Sequence, residues 1–258
     1  MQSGRSPPPT SRRWPATGGV RTVRQKGIPV TEPVDRRVST PRGELVLRSR
    51  DGHYEIVSNG VFLMDTRAGE SERLLVRAAL EDLPDGARLL IGGLGVGFSL
   101  AEAVRSARLS EIVVVEIEPA IVAWHRTVLR PYSGAALDDP RVRVVTADLL
   151  PWLGRTRERF DAICLDIDNG PDWTVFEDNH WLYGSAGIAL VRSRLAPGGV
   201  LAVWSAAESA SYAELLAAGV GPVRTLRTAV ERGEPDIVYV SRAPTTEPGR
   251  SQWTGRAR

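Results

Sequence analysis

The chain has 258 residues, of which 42% are hydrophobic and 25% charged, enough for one substantial core and a small additional module. No apolar run approaches the roughly 18–20 residues that a membrane span needs, so we expect a soluble, cytoplasmic protein with no membrane partner. The single Cys164 excludes an internal disulfide and a cysteine zinc cluster. The histidines are scattered without metal-ligand spacing, so no metal site is predicted, and Cys164 is expected to be a buried small residue.

The net charge of +2 hides an asymmetry along the chain. Residues 1–50 contain 11 Lys and Arg against 3 acidic residues, whereas residues 51–258 contain 22 against 28. The basic part is rich in Pro, Ser and Thr, so residues 1–40 are predicted to be a disordered leader that lacks the apolar stretch of a secretory signal. A solvated tail is the favoured interpretation of this leader, and a nucleic-acid contact is the less favoured one. Residues 243–258 are predicted to be a second unstructured segment.

A small antiparallel β-module is predicted at residues 41–68. The turn pairs Asp51-Gly52 and Asn59-Gly60 separate short runs in which apolar residues alternate. The predicted strands are Leu45–Leu47, Tyr54–Val57 and Val61–Met64. A helix follows over 70–82, because apolar residues recur there at helical spacing.

Strands and helices alternate through residues 69–242, which predicts an α/β domain with a mainly parallel sheet covered on both faces. Its strands are expected at 88–92, 111–116, 141–146, 160–166 and 199–204. Its helices are expected at 97–107, 119–130, 148–155, 185–195 and 208–218. The last two apolar runs, Val223–Ala229 and Asp236–Ser241, predict an antiparallel hairpin. A seven-stranded sheet finished by such a hairpin is the Rossmann-like arrangement of class I S-adenosylmethionine (SAM) transferases.

Polar groups follow the carboxyl ends of successive predicted strands, which is where an open parallel sheet binds ligands. The first strand runs into a glycine-rich turn and the second ends in Glu116, which is suited to accept hydrogen bonds from two ribose hydroxyls. Asp148 is a candidate partner for an adenine amino group, and Asp166 is expected beside the reactive end of the ligand. The predicted cofactor-binding residues are Gly92, Gly93, Gly95, Gly97, Glu116, Ile117, Asp148 and Leu149.

Each of these residues also has a purely structural interpretation. Tight turns need glycine without any ligand, Glu116 can be a solvated strand end, and Asp148 can cap the next helix. Four such features at successive strand ends nevertheless favour a SAM-type nucleoside as the ligand.

Several motifs occur in a defined order: Asn59-Gly-Val-Phe, the Ile-Gly-Gly turn, Val-Glu-Ile-Glu-Pro, Asp139-Pro-Arg-Val and Phe160–Asp166. In this order, from about Glu44 to Arg242, the chain resembles the spermidine synthase (polyamine aminopropyltransferase) family. The resemblance implies that Glu116 binds the ribose, Asp148 lies at the adenine, and Asp166 is the catalytic acid that handles the acceptor amine. It also implies a small-molecule amine substrate and a homodimer.

The chain departs from the family pattern at positions that, in the family, contact the polyamine and the amino-acid side of the nucleoside. Gly95 stands where the glycine turn of the family has an aspartate, and Leu63 stands where a glutamine is expected. A Tyr-Pro-Ser-Gly stretch of the family has no counterpart after Trp204. We therefore expect methyl transfer from SAM to an amine-bearing small acceptor. Aminopropyl transfer from decarboxylated SAM to a diamine is the alternative, and a catalytically inactive binding or scaffold homologue is a third interpretation from another class.

The segment after the fourth strand of the α/β domain, Asp166–Trp173, carries the predicted substrate contacts. Its aspartates favour a cationic acceptor, so Asp168, Asn169 and Trp173 are predicted to bind the substrate. Asn169 would accept a hydrogen bond from the attacking nitrogen and Trp173 would stack on the substrate, although Asn-Gly-Pro is also a common turn. Arg73 is a candidate partner for the carboxylate of SAM, a group that decarboxylated SAM lacks.

Overall fold

The computed structural model describes residues 35–231 and 233–245, which form a four-stranded and a seven-stranded sheet with helices. Nearly all of the predicted leader and most of the predicted tail, residues 1–34 and 246–258, lie outside the described residues. Within the described ranges, no helix is long and apolar enough to cross a membrane.

The N-terminal module is an antiparallel sheet whose strands pair in chain order. Its strands are β1 (Arg36–Thr40), β2 (Gly43–Arg50), β3 (His53–Ser58) and β4 (Val61–Asp65). The turn residues Asp51 and Asn59 have φ values of 51° and 49°, the left-handed conformation that Asp, Asn and Gly adopt most readily. The predicted strands β2, β3 and β4 are therefore confirmed.

The module begins earlier than predicted, because residues 36–40 form β1 and are not part of a disordered leader. Each residue of β1 pairs with a residue of β2. Val38 alone among the residues of β1 packs against the core. One apolar residue among polar neighbours gives no period-two signal, so the sequence pattern could not indicate this strand.

The α/β domain contains all of the predicted strands and helices. The strands are β5 (Ala87–Gly92), β6 (Leu109–Glu116), β7 (Val142–Thr146), β8 (Phe160–Leu165), β9 (Leu195–Ser205), β10 (Val223–Thr228) and β11 (Asp236–Arg242). The helices are α1 (Glu70–Leu80), α2 (Phe98–Val104), α3 (Pro119–His125), α4 (Leu149–Arg155), α5 (His180–Tyr183), α6 (Ser185–Ser193) and α7 (Ala210–Gly219). Helix α3 ends at His125, before the predicted residue 130, because the N–H groups of Arg126 and Thr127 bond the carbonyl oxygens three residues back and tighten the last turn. The short helix α5 was not predicted.

The strand order of the larger sheet is β10-β11-β9-β8-β5-β6-β7. Strands β5 to β9 are parallel, whereas β11 runs antiparallel to both β9 and β10, which confirms the predicted terminal hairpin. The chain leaves β5 toward β6 and β7, then returns to place β8 on the other side of β5. Strands β5 and β8 therefore border the topological switch point, where open α/β sheets bind ligands.

Two apolar cores cover the two faces of this sheet. Helices α1, α2 and α3 and the N-terminal module share one core with alternate residues of the strands, Cys164 among them. Helices α4, α6 and α7 share the other core. The near-continuous apolar strands follow from this arrangement, because a sheet covered on both faces buries successive side chains.

Candidate active site

The glycine-rich turn connects β5 to α2 at the switch point. Gly93, Gly95 and Gly97 have φ values of +91°, +49° and +91°. A Cβ atom at Gly93 would collide with the backbone carbonyl oxygen of Asp166, so only glycine allows β8 to approach the turn this closely. The predicted turn residues therefore lie together at the carboxyl edge of the sheet.

Glu116 joins this turn to the start of α3. Its side chain is only 4% exposed. One carboxylate oxygen accepts a hydrogen bond from the backbone N–H of Leu94 at 2.8 Å, and the other accepts one from the N–H of Glu118 at 2.8 Å. Burial raises the pKa of Glu116, although these N–H groups oppose the rise. An ionised carboxylate has about four acceptor positions, so capacity remains for ribose hydroxyls.

Asp148 and Leu149 lie at the end of β7, on the other side of Glu116 from the turn. Asp148 caps α4, since its Oδ1 accepts a hydrogen bond from the N–H of Leu150 at 3.1 Å. Leu149 is buried beside Gly92, close enough that a Cβ at Gly92 would come within 2.9 Å of its Cδ2. Ile117 follows Glu116 and is half-buried. The helix-capping role of Asp148 is thus present, and its exposed carboxylate is also accessible to a ligand.

Asp166 follows β8 directly and lies beside the glycine turn. Its backbone N–H donates to the carbonyl oxygen of Gly92 at 2.9 Å. Its Oδ2 accepts a hydrogen bond from the Ser99 hydroxyl on α2 at 2.8 Å. The predicted catalytic acid and the predicted nucleoside turn are therefore neighbours.

Two further carboxylates, Glu72 on α1 and Asp236 at the start of β11, join Asp166 in what we call the acid group. The Ser71 hydroxyl lies 2.9 Å from Glu72 Oε2 and 2.8 Å from Asp236 Oδ2. A single hydroxyl carries one proton, so Ser71 donates to only one of these carboxylates at a time. The antiparallel direction of β11 explains why its first residue reaches the edge where the parallel strands end.

The carboxylates of the acid group act on one another electrostatically. Burial and the charge of Asp166 raise the pKa of Glu72 to about 7. Burial and the charge of Asp236 raise the pKa of Asp166 to about 6, and the hydrogen bond from Ser99 opposes that rise. Since neighbouring negative charges together attract a positive one, the group is suited to bind a cation.

Asp168 has a different environment from Asp166, although only one residue separates them. It is 9% exposed and accepts hydrogen bonds from four donors in its own loop. The donors are the backbone N–H groups of Asn169, Val175 and Phe176 and the side-chain amide of Asn179, at 2.8, 2.6, 3.4 and 2.6 Å. Its carboxylate thus organises the segment 168–179, which leaves it little capacity for a substrate.

The other predicted substrate residues lie on the same loop. Asn169 is half-buried, and its carbonyl oxygen accepts a hydrogen bond from the N–H of Ala206 at 2.9 Å. Trp173 is 52% exposed and projects into solvent. Arg73 stacks on the ring of Phe98, with its guanidinium carbon 4.4 Å from the ring centroid. The structure therefore does not bring Trp173 or Asp168 into the acid group.

The sequence pattern did not indicate Glu72, Asp236 or Ser99. Glu72 occupies an ordinary position on an amphipathic helix, and Asp236 begins a strand. For Asp236 the direction of the terminal hairpin was an available signal, because it places the start of β11 at the ligand-binding edge.

Comparison with known proteins connects this geometry to a family. Residues 70–217 match the spermine/spermidine synthase domain. A polyamine aminopropyltransferase from Mycobacterium tuberculosis is 33% identical over 165 residues, which cover 62% of this chain and 30% of that protein. A polyamine aminopropyltransferase from Corynebacterium efficiens is 31% identical over 199 residues, which cover 72% of this chain and 37% of that protein. The chain thus spans about a third of the length of these two relatives.

The fold also matches a solved structure. Spermidine synthase from Thermotoga maritima superimposes with a TM-score of 0.67 at 14% identity, covering 83% of this chain and 73% of that one. At this identity the match establishes the Rossmann-like fold, as the sequence predicted. Because the domain match covers more than half of the chain, the protein belongs to the spermine/spermidine synthase family.

Proposed function

We propose that this protein is a transferase that moves the aminopropyl group of decarboxylated SAM to a primary amine of a small polyamine-type acceptor. The nucleoside lies over the glycine turn, with its ribose on Glu116 and its adenine between Asp148 and the side chains of Ile117 and Leu149. Asp166 lies beside the sulfonium and the aminopropyl group of the donor. The acid group is the observation that supports this proposal most strongly.

The acid group favours decarboxylated SAM over SAM on electrostatic grounds. The aminopropyl group of the decarboxylated donor ends in an ammonium, whereas the corresponding part of SAM also carries a carboxylate. Two unit charges 4 Å apart interact by about 1 kcal/mol in water and by about 4 kcal/mol at the effective dielectric of a protein surface. Glu72, Asp166 and Asp236 therefore attract the ammonium of the first donor and repel the carboxylate of the second.

The same carboxylates suit the acceptor chemistry. A primary amine is protonated at neutral pH and must lose a proton before its lone pair can attack the carbon beside the sulfonium. Asp166, with its pKa raised to about 6, attracts the ammonium and accepts that proton. The new C–N bond then forms as the C–S bond breaks, and the nucleoside leaves as the neutral thioether methylthioadenosine.

The sequence of this chain and its family relatives support different transfer reactions. Gly95 in place of the family aspartate and the missing polyamine stretch favour methyl transfer. The names of the relatives and the negative charge of the acid group instead support aminopropyl transfer. The acid group also weighs against an inactive scaffold, because carboxylates that raise one another's pKa cost stability and bring no benefit to a protein that binds no ligand.

Asp168 is assigned a role different from the one that the sequence suggested. Since its four donors all lie in its own loop, we assign it to the folding of the segment 168–179 over the site. Asn169 and Trp173 remain candidate substrate contacts that depend on the position of this loop.

Incubation of the purified protein with decarboxylated SAM or SAM, against a panel of mono- and diamines, tests the proposal. Chromatography with mass detection identifies the nucleoside product. Methylthioadenosine formed with decarboxylated SAM and a diamine supports aminopropyl transfer. S-adenosylhomocysteine formed from SAM identifies a methyltransferase instead, and neither product with any amine supports the scaffold.

A further inference from the structure

The peptide group between Gly95 and Val96 in the glycine turn is held at both ends by side chains from other elements. The carbonyl oxygen of Gly95 lies 2.9 Å from His125 Nε2, at the end of α3. The N–H of Val96 donates to the thioether sulfur of Met64, on β4, at 3.3 Å. A carbonyl and the following N–H point in opposite directions in a planar trans peptide, so the two contacts together fix the orientation of this plane.

His125 is buried more deeply than a surface helix residue would be. It is 1% exposed, and burial lowers its pKa, so the ring is neutral at physiological pH. A carbonyl oxygen can only accept a hydrogen bond, so Nε2 carries the ring hydrogen. Nδ1 is then a bare acceptor, and no donor among the described residues reaches it. Leaving such an atom unpaired costs free energy, so a histidine here is not explained by stability alone.

The ring of His125 also supports the turn by contact. A Cβ atom at Gly97 would come within 2.5 Å of His125 Cε1 and 2.8 Å of the Cβ of Ser133. On the other side of the turn, a Cβ at Gly95 would collide with the sulfur of Met64. The backbone of residues 95–97 therefore lies between these two side chains.

We propose that His125 is a positioning residue for the donor nucleoside, acting through the 95–96 peptide plane. Because residues 93, 95 and 97 are glycines, the turn presents backbone rather than side chains to a ligand. The orientation of its peptide groups then determines how well the nucleoside fits, and His125 fixes one of them. This inference rests on the proposed function only in assuming that a nucleoside occupies the turn.

The test uses three substitutions at His125 and measures the affinity of methylthioadenosine by calorimetry. Glutamine retains an N–H donor near the Nε2 position, whereas leucine has no donor and asparagine is too short to reach Gly95. We expect H125L and H125N to weaken methylthioadenosine binding about tenfold, equivalent to about 1.4 kcal/mol, and H125Q to stay within about threefold of the wild type. His53→Gln, in the N-terminal module, is the matched control and leaves the affinity unchanged.

Turnover distinguishes positioning from general damage to the protein. H125L should raise the KM for the donor while kcat at saturating donor and the KM for the amine stay near wild-type values. If H125L or H125N does not fold, the other of these two variants supplies the same comparison with H125Q.

Three outcomes overturn the inference, and they show whether the proposed function falls with it. Wild-type affinity in both H125L and H125N, or equal losses in those variants and in H125Q, removes His125 from donor positioning and leaves the proposed function standing. No binding of methylthioadenosine by the wild-type protein removes the proposed function and the inference together.

Discussion

Glu116 and Asp166 are both carboxylates at the carboxyl edge of the sheet, yet their partners differ in kind. Both oxygens of Glu116 accept hydrogen bonds from backbone N–H groups, so the positions of these donors do not depend on a side-chain rotamer. Asp166 is bound by the Ser99 hydroxyl, and its acidic neighbours share the hydroxyl of Ser71. The glycine turn and Glu116, which we call the nucleoside half of the site, are thus held by backbone donors, whereas the acid group is held by side-chain hydroxyls.

Asp166 and Asp168 repeat this contrast within three residues of chain. Four donors from one loop bind Asp168, and its carboxylate serves structure. Asp166 has the Ser99 hydroxyl and a pKa raised to about 6, which suits proton transfer. Proximity in sequence therefore says little about which of two acids does chemistry.

The largest effect is expected for Asp166→Asn. The amide cannot accept the proton of the amine, so turnover should fall by about 10²–10⁴-fold, the usual contribution of a general base. Methylthioadenosine affinity should change little, because the nucleoside contacts lie in the other half. Steady-state rates and calorimetry measure the two quantities. Asp85→Asn, before the start of β5 at the opposite end of the strand from Gly92, is the control. Equal turnover in Asp166→Asn and the control would remove Asp166 from the mechanism.

Glu116→Gln tests the nucleoside half of the site. Glutamine has one carbonyl oxygen, so it cannot accept from both Leu94 and Glu118, and one of these N–H groups faces an NH₂ group. We expect a loss of about 1–3 kcal/mol in unfolding free energy and a nucleoside affinity lower by about tenfold or more. Urea unfolding with and without methylthioadenosine measures both. A variant with wild-type stability and affinity contradicts the assignment of Glu116.

Asp168→Ala tests whether Asp168 organises its loop while Asp166 takes part in the chemistry. Removing the acceptor of four hydrogen bonds should open the segment 168–179, which hydrogen exchange measures as faster exchange at Val175 and Phe176. The KM for the amine should rise several-fold through loss of the closed loop, while methylthioadenosine affinity is retained. Unchanged exchange combined with lost amine binding points instead to direct contact between Asp168 and the substrate, as the sequence first suggested.

The smallest effect is a shift in the pH profile. Asp166 must be ionised to accept a proton, so kcat/KM should fall as the pH drops through its pKa of about 6. The negative charge of Asp236 helps to raise that pKa, so Asp236→Asn should move the acidic limb to lower pH. An acidic limb that stays in place or moves to higher pH contradicts the coupling of these two acids.

The sequence indicated the nucleoside half of the site better than the acid group, and the reason is physical. The glycine turn and Glu116 end predicted strands, and strand ends are recognised from neighbouring residues. Ser71 and Asp236 are 165 positions apart and meet only through the strand order and the direction of β11. The role of Asp168 was also inaccessible, because its partners at 175–179 lie in a loop without periodicity. The strand β1 was missed because backbone pairing, which any residue can make, holds it in place.

The central claim is that the acid group selects a donor with a cationic, carboxylate-free chain. Calorimetric comparison of decarboxylated SAM and SAM, on the wild-type protein and on the Glu72→Gln/Asp236→Asn variant, tests it most directly. We expect the wild type to bind decarboxylated SAM more tightly and the variant to lose most of that preference, with methylthioadenosine affinity unchanged. Equal or tighter binding of SAM by the wild-type protein, or a preference that survives in the variant, contradicts the claim.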